Sequence, residues 1–495
     1  MELVSAVIAS MLQPQAILFL LFGCILGIVL GAIPGLSASL GIVLVLPLTF
    51  SMPSELGIIL LCAIWVGGVS GGFISATLLG IPGATGSIAT CFDAYPMSKK
   101  GETVKAFGIG IVASFTGTFF SCIIAMFASK WIASVAVKMG PWEYFALCFC
   151  AITLVVSLSK ENMVKGLTSA FLGVLIASIG FAPIDAAKRF TFGINNIAGG
   201  VGIVPLMMGL FAIRQIVVDY AKDALSLPPV VSGRIKGIGI SIRDVKENLK
   251  VIIQSFVIGL GIGILPGMGG AIANVVAYTK AKDSSKHPEE FGQGCQTGVW
   301  ATETSNNAAI GGAIVPMIAL GIPGDSLTAI LLGALTIHGI EPGPLLFQNH
   351  PVFVYILFAT VIVSAVVVLI MQLFGMRLFP SLLKIPVYWM YPALLVICII
   401  GAFSNTNTLF TCGLLLFIAV IGILITVAEI PATPLLLTYV LSTMLETNLR
   451  RGCTFSIGVK GFYTRPFPVI FIGIGILCVI LPGIKNLINK RGQNI

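Results

Sequence analysis

Between Glu303 and Ser326 the chain places polar groups inside an otherwise apolar region. Glu303-Thr304-Ser305-Asn306-Asn307-Ala308-Ala309 leads into Gly311-Gly312, and Gly321-Ile322-Pro323-Gly324-Asp325-Ser326 follows. Small residues with paired carboxamides make an oxygen-rich stretch, and hard cations take oxygen ligands from side chains and backbone carbonyls. The expectation is a flexible tip at the start of a membrane segment, with Ser305, Asn306, Asn307, Gly324 and Asp325 as candidate cation ligands. An ordinary helix cap in a solvated loop is the competing reading. Asp325 tilts the balance, because it stands beside a predicted helix break. An ionisable group at membrane depth is a functional hypothesis by default.

That break is one of four. Gly23, Gly27, Gly31 and Gly35 fall every fourth residue with Pro34 before the last, and Gly259, Gly263 and Gly267 repeat the pattern with Pro266. The offset is 266 − 34 = 232. Leu79-Gly80-Ile81-Pro82-Gly83 then recurs as Leu320-Gly321-Ile322-Pro323-Gly324, at an offset of 323 − 82 = 241. Two markers in one order at similar spacing point to an internal duplication.

Glycines four apart share a helix face and let another helix approach closely, so packing alone explains each ladder taken singly. The Pro-Gly pair at its end adds more. Proline removes a backbone donor and glycine frees the dihedrals, so the helix breaks. Such a break is tolerated only where protein or a water-filled cavity covers it. Duplicated halves with interrupted segments at matching positions mark a transporter's binding site.

We therefore expect the breaks at Pro34, Pro82, Pro266 and Pro323 to converge. The candidate substrate contacts follow them: Gly35, Ser37 and Ser39; Gly83, Thr85 and Ser87; Gly267, Gly269, Gly270 and Asn274. No Lys or Arg stands in the middle of an apolar run. An anionic substrate would have to be held by helix N-termini, whose free amides and dipole favour negative charge, and by neutral donors.

Enzymatic readings are weak. Gly68-Val69-Ser70-Gly71-Gly72 fits a nucleophile motif, but the match is cheap in a chain with 56 glycines. It would need a histidine base at the same depth. The three histidines are His287 in a charged loop, His338 near Glu341 and His350 beside Pro351. Neither a helical zinc motif nor a phosphate-binding loop is present in the sequence. The eleven cysteines are scattered, mostly in apolar runs, and read as small buried hydrophobes.

The elements that must position these groups follow from composition. Of 495 residues, 57% are hydrophobic and 9% charged, with mean hydropathy +1.05. A soluble domain carries about 25% charged residues. Charge-free stretches of bilayer-spanning length predict roughly 11–13 membrane segments. The fold class is an all-α polytopic membrane protein, with two internally duplicated halves carrying broken or re-entrant helices.

The halves are residues 1–213 and 251–495, joined by a basic linker at 214–250. Lys222, Arg234, Lys236, Arg243 and Lys246 place that linker in the cytoplasm, where basic residues accumulate. The net charge of +9 therefore reflects loops rather than nucleic-acid binding. The first span has no basic residue before it, so no removable signal peptide is expected. The N-terminus reads as external. Whether the halves are inverted or parallel stays open.

These residues resemble the large membrane subunit of tripartite tricarboxylate transporters. The strongest block runs from Ser285-Lys286-His287-Pro288-Glu289-Glu290-Phe291-Gly292 through Glu303, Asn306-Asn307 and the Gly-Ile-Pro-Gly at 321–324 to His338-Gly339 and Pro342-Gly343-Pro344-Leu345. Gly31-Ala32-Ile33-Pro34-Gly35-Leu36, Gly140-Pro141, Arg189-Phe190-Thr191-Phe192-Gly193 and Pro431 to Pro434, with Glu446 and Arg450, support it. Trp142 departs from the family's pattern, and so does Asp325, where a small neutral residue is usual.

The resemblance implies an importer of citrate or related carboxylates in the bacterial inner membrane. It implies an ion gradient as driving force, with Na+ or protons as the coupling ion and no cofactor. A small four-helix membrane subunit and a periplasmic solute-binding protein would be its partners. The alternatives are a stand-alone carrier for another small solute and a non-transporting membrane scaffold. A scaffold has no need for paired breaks.

Overall fold

The computed structural model describes residues 2–157, 163–221, 237–383, 387–454 and 460–492. Lys222, Arg234 and Lys236 of the expected linker lie outside them. The described chain is helical almost throughout. In order, α1 is Glu2–Met11, α2 Pro14–Ala32, α3 Ala38–Val45, α4 Ser54–Leu79, α5 Thr90–Lys99, α6 Thr103–Ala136, α7 Pro141–Ser157 and α8 Met163–Ala177. There follow α9 Ile203–Met207, α10 Arg214–Ala221, α11 Ile242–Ile264, α12 Gly269–Asp283, α13 Gln296–Leu320, α14 Ser326–Ile337 and α15 Leu346–Asn349. The last are α16 Pro351–Gly375, α17 Phe379–Leu382, α18 Val387–Thr406, α19 Leu409–Val427, α20 Ala432–Thr454, α21 Lys460–Thr464 and α22 Pro466–Gly492. Among the described residues the only strands are β1 Gly180–Phe181 and β2 Lys188–Arg189, paired antiparallel.

Among the described residues, seven spans are long and apolar enough to cross a membrane: α2, α4, α6, α11, α19, and the composite stretches Ile203–Ala221 and Pro351–Leu382. Seven shorter apolar helices accompany them. The chain is thus an all-α polytopic membrane protein. The charge-free stretch from Glu2 to Glu55 holds α1, the span α2 and the short α3, so one apolar run is cut into several pieces.

Two compact units emerge. One comprises Met1–Ala133 and Phe211–Asn407, the other Ser134–Leu210 and Thr408–Ile495.

The first unit is organised by its glycine ladders. In α2, a β-carbon on Gly27 would lie 2.5 Å from the Ile64 carbonyl oxygen of α4, and one on Gly31 would strike the Gly68 carbonyl. In α11, Gly259 meets the Ser305 carbonyl of α13, and a β-carbon on Gly263 would lie 2.5 Å from the Ala309 carbonyl. The bare backbones touch, which is what small residues at helix interfaces in membranes provide.

Both ladder helices stop where the sequence breaks them. α2 ends at Ala32 and α11 at Ile264, and the chain turns through Gly35 at φ 87° and Gly267 at φ 79°. The partner helices also end alike. α4 and α13 both close on a left-handed glycine, Gly80 at φ 69° and Gly321 at φ 72°. After α4, Thr85–Ser87 form a 3-10 turn before α5. After α13, Asp325 caps α14 by accepting the Thr328 amide at 2.8 Å. These positions obey the sequence offsets, since 32 + 232 = 264 and 79 + 241 = 320.

In the second unit, the Tyr439 hydroxyl of α20 donates to the Val201 carbonyl, and Ser169 of α8 donates to the Pro431 carbonyl. Glu446 accepts from Arg189 at 2.8 Å and from Arg450 at 2.9 Å, while Arg450 also reaches Asp185 at 2.8 Å. The Arg450 guanidinium, with the Ala187 amide, holds the Asp185 carboxyl below its ordinary range. Arg465 pairs with Glu143 at 2.9 Å.

Candidate functional site

Within the first unit, the breaks come together around α13. A β-carbon on Gly83 would strike the Gly31 carbonyl oxygen, which joins the second break to the first. The Gly267 amide donates to the Gly324 carbonyl at 2.7 Å, joining the third break to the fourth, and Gly269 lies against Asp325. Asn306 closes the set. Its Oδ1 is packed against both Gly86, after the second break, and Gly270, after the third, so that a β-carbon on either glycine would strike it.

The polar stretch is not the flexible tip that its composition suggests. Ser305, Asn306 and Asn307 lie well inside α13, which begins at Gln296. The cause is upstream. Asp93 of α5 is fully buried, and its Oδ1 accepts the amides of Gly292, Gly294 and Cys295 at 2.8, 2.9 and 2.8 Å. Lys100 adds a bond to the Gln293 carbonyl at 2.7 Å. This tie sets the turn that launches α13, so the helix is already two turns long when it reaches Glu303.

The three carboxamides then differ sharply. Asn307 is fully buried; its Oδ1 accepts from Ser70 at 3.0 Å and Thr118 at 3.3 Å, and its Nδ2 donates to Ser114 and to the Glu303 carbonyl, each at 3.0 Å. Asn274 is equally committed. It accepts the Ala89 amide at 2.8 Å and donates to Thr90 and to the Thr302 carbonyl, each at 3.2 Å. Both act as struts. Asn306 is 2% exposed and its Nδ2 has no partner.

Glu303, named in the sequence but given no role there, is the centre of this network. Thr90 donates to its Oε1 at 2.6 Å, and Ser114 to its Oε2 at 3.3 Å. Asn307 Nδ2 is 3.4 Å from Oε2. The Ser87 hydroxyl and the Asn306 amide face the same carboxyl, and the Ser87 hydroxyl, fully buried, has no bond of normal geometry.

The remaining sequence candidates fall as follows. Ser37 caps α3 by accepting the Leu40 amide at 3.2 Å and pairs with Ser39 at 2.8 Å. Gly35 faces the Asp219 carboxylate and the Tyr391 hydroxyl. Gly83 donates to the Gly72 carbonyl at 3.2 Å, and Thr85 is exposed. Ser305 bonds within its own helix, to the Thr302 carbonyl at 3.0 Å. Asp325 spends one carboxylate oxygen on its capping role.

Sequence reasoning missed Asp93, Thr90, Ser114, Thr118 and the role of Ser70. Asp93 carried a signal, as the first acid after a long charge-free stretch. The hydroxyls carried none, since single Ser and Thr residues are common on apolar helices.

Residues 17–437 match the family described as "Tripartite tricarboxylate transporter TctA family". An Agrobacterium vitis protein described as "Uncharacterized 52.8 kDa protein in TAR-I ttuC' 3'region" is 30% identical over 483 residues, covering 97% of this chain and 96% of that one. A second protein from the same organism, "Uncharacterized protein in TAR-II ttuC' 3'region", is 35% identical over 234 residues, 47% of this chain and 96% of its own length. No solved structure matches.

Proposed function

The chain belongs to the tripartite tricarboxylate transporter TctA family, and from that premise we propose that it imports carboxylates as a cation-driven permease. Its place is the bacterial inner membrane. A periplasmic binding protein delivers the substrate, and a small membrane subunit completes the complex. The observation that carries this reading is a chain of contacts joining four helix breaks: Gly83 on Gly31, Gly267 on Gly324, and between the two pairs Asn306, a buried carboxamide with an uncommitted amide packed on Gly86 and Gly270. Broken helices at matching positions are how secondary transporters build a substrate site.

The ends of α3, α12 and α14 and the turn at Thr85–Ser87 supply amides and hydroxyls without a fixed cation. Such groups suit a carboxylate. Gly35, Ser37, Ser39, Gly83, Thr85, Ser87, Gly267, Gly269 and Gly270 form the substrate side in this reading. Ser305, Asn306, Gly324 and Asp325 form the side of the coupling cation. The matching ends of α2 with α11 and of α4 with α13 support an internal duplication.

The test is uptake of labelled citrate into proteoliposomes holding this chain, its small membrane subunit and the binding protein. Sodium and proton gradients are imposed in turn. Uptake should require the binding protein and one cation gradient. Gly267→Leu should abolish it, because leucine is strained at φ 79° and Gly267 joins two breaks. If citrate fails but another carboxylate held by the binding protein is carried, only the substrate changes. Failure of every carboxylate would sink the reading.

A further inference from the structure

We propose that the loop between α8 and α9, residues 178–202, is the docking face for the soluble periplasmic binding protein, with Phe192 as its anchor and basic surroundings that take an acidic patch on that partner. The inference rests on the permease reading above and adds where on this chain the partner lands.

The first argument is display. Of the five non-glycine residues with positive φ among the described residues, three lie here: Ala186 at 52°, Phe190 at 50° and Phe192 at 49°. A bulky side chain rarely adopts that backbone, and surrounding structure has to hold it there. The holding bonds are present. The Phe181 amide donates to the Ala198 carbonyl at 3.0 Å, Ala182 to Ala187 at 2.9 Å and Ile194 to Thr191 at 2.8 Å. Arg189 and Asp185 tie the loop to Glu446 and Arg450 of α20, each at 2.8 Å. What this framework holds outward is apolar: Phe192 is 82% exposed and Phe190 57%. Clustered exposed apolar groups rimmed by polar ones mark interaction sites.

The second argument is what covers them. Lipid hydrocarbon does not accept irregular backbone, and residues 178–202 form only a short hairpin, turns and one 3-10 turn. Nor are the rings those of tyrosine and tryptophan, whose polar edges settle among headgroups. The loop therefore stands in water, where exposed phenyl rings call for a protein.

The third argument is side and charge. The span Ile203–Ala221 leads from this loop to the basic linker, read above as cytoplasmic, so the loop falls on the periplasmic side. Residues 178–202 and 446–465, joined by the two ion pairs, hold six Lys and Arg against two acids, and Glu143 on Arg465 adds a third, a net charge of 6 − 3 = +3. A soluble partner with acidic groups around an apolar pocket matches both features. Rim charge steers the encounter, and a ring seated in the pocket holds it.

The test is binding of the purified, substrate-loaded binding protein to this chain and its small membrane subunit in nanodiscs, followed by interferometry. Phe192→Ala should weaken binding about tenfold or more, while Phe192→Tyr keeps it. The ring is exposed, so the Tm of Phe192→Ala should match wild type. Lys188→Glu should slow association and flatten its salt dependence. Phe374→Ala, at a residue 84% exposed in the first unit, should change nothing. Phe192→Trp reads the occupant: its emission should shift to the blue when binding protein is added and ignore brominated lipid.

Wild-type affinity in Phe192→Ala, or no saturable binding to wild type, would overturn the proposal. So would quenching of Phe192→Trp by brominated lipid, which makes lipid the occupant, or loss of the small subunit from purified Phe192→Ala, which makes that subunit the occupant. Labelling of Phe192→Cys by an impermeant maleimide from the cytoplasmic side alone, in a Cys453→Ser background, would overturn it as well. Binding that depends on Phe192 in a complex that carries no carboxylate would sink the permease reading and leave the docking face standing.

Discussion

Asn306 and Asn307 are neighbours with the same side chain, and the fold gives them opposite tasks. Asn307 ties Ser70, Ser114 and Thr118 to α13, so Asn307→Ala leaves the buried Ser70 and Thr118 hydroxyls without this acceptor and Ser114 without this donor. That should cost about 1–3 kcal/mol, read as a lowered Tm of the detergent-solubilised protein. Asn306→Ala removes an amide that has no partner and should shift Tm little, while cutting uptake in the citrate assay. Equal destabilisation by both would show that Asn306 is a strut too. The doublet was visible in the sequence, but the division of labour was not. Successive helix residues point about 100° apart, and which direction faces a committed partner depends on α4 and α6. Glu303 was named in the sequence without a role for a similar reason, since a carboxylate beside small polar residues reads equally well as a solvated helix start.

At the scale of elements, the sequence announced its breaks clearly. Proline and glycine act locally, so the ends of α2, α4, α11 and α13 fall beside Pro34, Pro82, Pro266 and Pro323. The start of α13 was not legible, because Asp93 sets it from about 200 positions away through three amides. The ladders also carry a prediction. Gly31 in the first ladder and Gly259 in the second each have a partner carbonyl where a side chain would go. Gly31→Val and Gly259→Val should each force the helix pair apart, at about 1–3 kcal/mol or more for overpacking. Gly261 has open space beside it, and Gly261→Val in the same helix serves as the control. The expected reading is loss of monodisperse protein on size-exclusion chromatography for the first two changes only. A Gly31→Val protein as well behaved as Gly261→Val would mean that close backbone approach does not hold α2 on α4.

At the scale of the molecule, the notable fact is how each unit is assembled. The first takes Met1–Ala133 and Phe211–Asn407, and the second takes Ser134–Leu210 and Thr408–Ile495. Each draws one segment that ends by Leu210 and one that begins at or after Phe211. Composition and hydropathy cannot show this, because they register how apolar a segment is and not which segment it packs against. The buried network crosses the same divide: Ser70, Thr90 and Ser114 come from the first part, Asn274, Glu303 and Asn307 from the second. A fold built this way predicts how the chain tolerates cutting. Neither part alone can satisfy its buried polar groups, and an unpaired buried group costs what a lost hydrogen bond costs. Expressed separately, residues 1–228 and 229–495 should each be degraded or aggregate. Expressed together, they should reassemble, because no buried hydrogen bond described in the structure needs the peptide bond between them. Co-purification through a tag on one part, followed by the citrate assay, measures both outcomes. Parts that are each stable and monodisperse alone would mean that the halves fold independently and that the shared network is not what holds them.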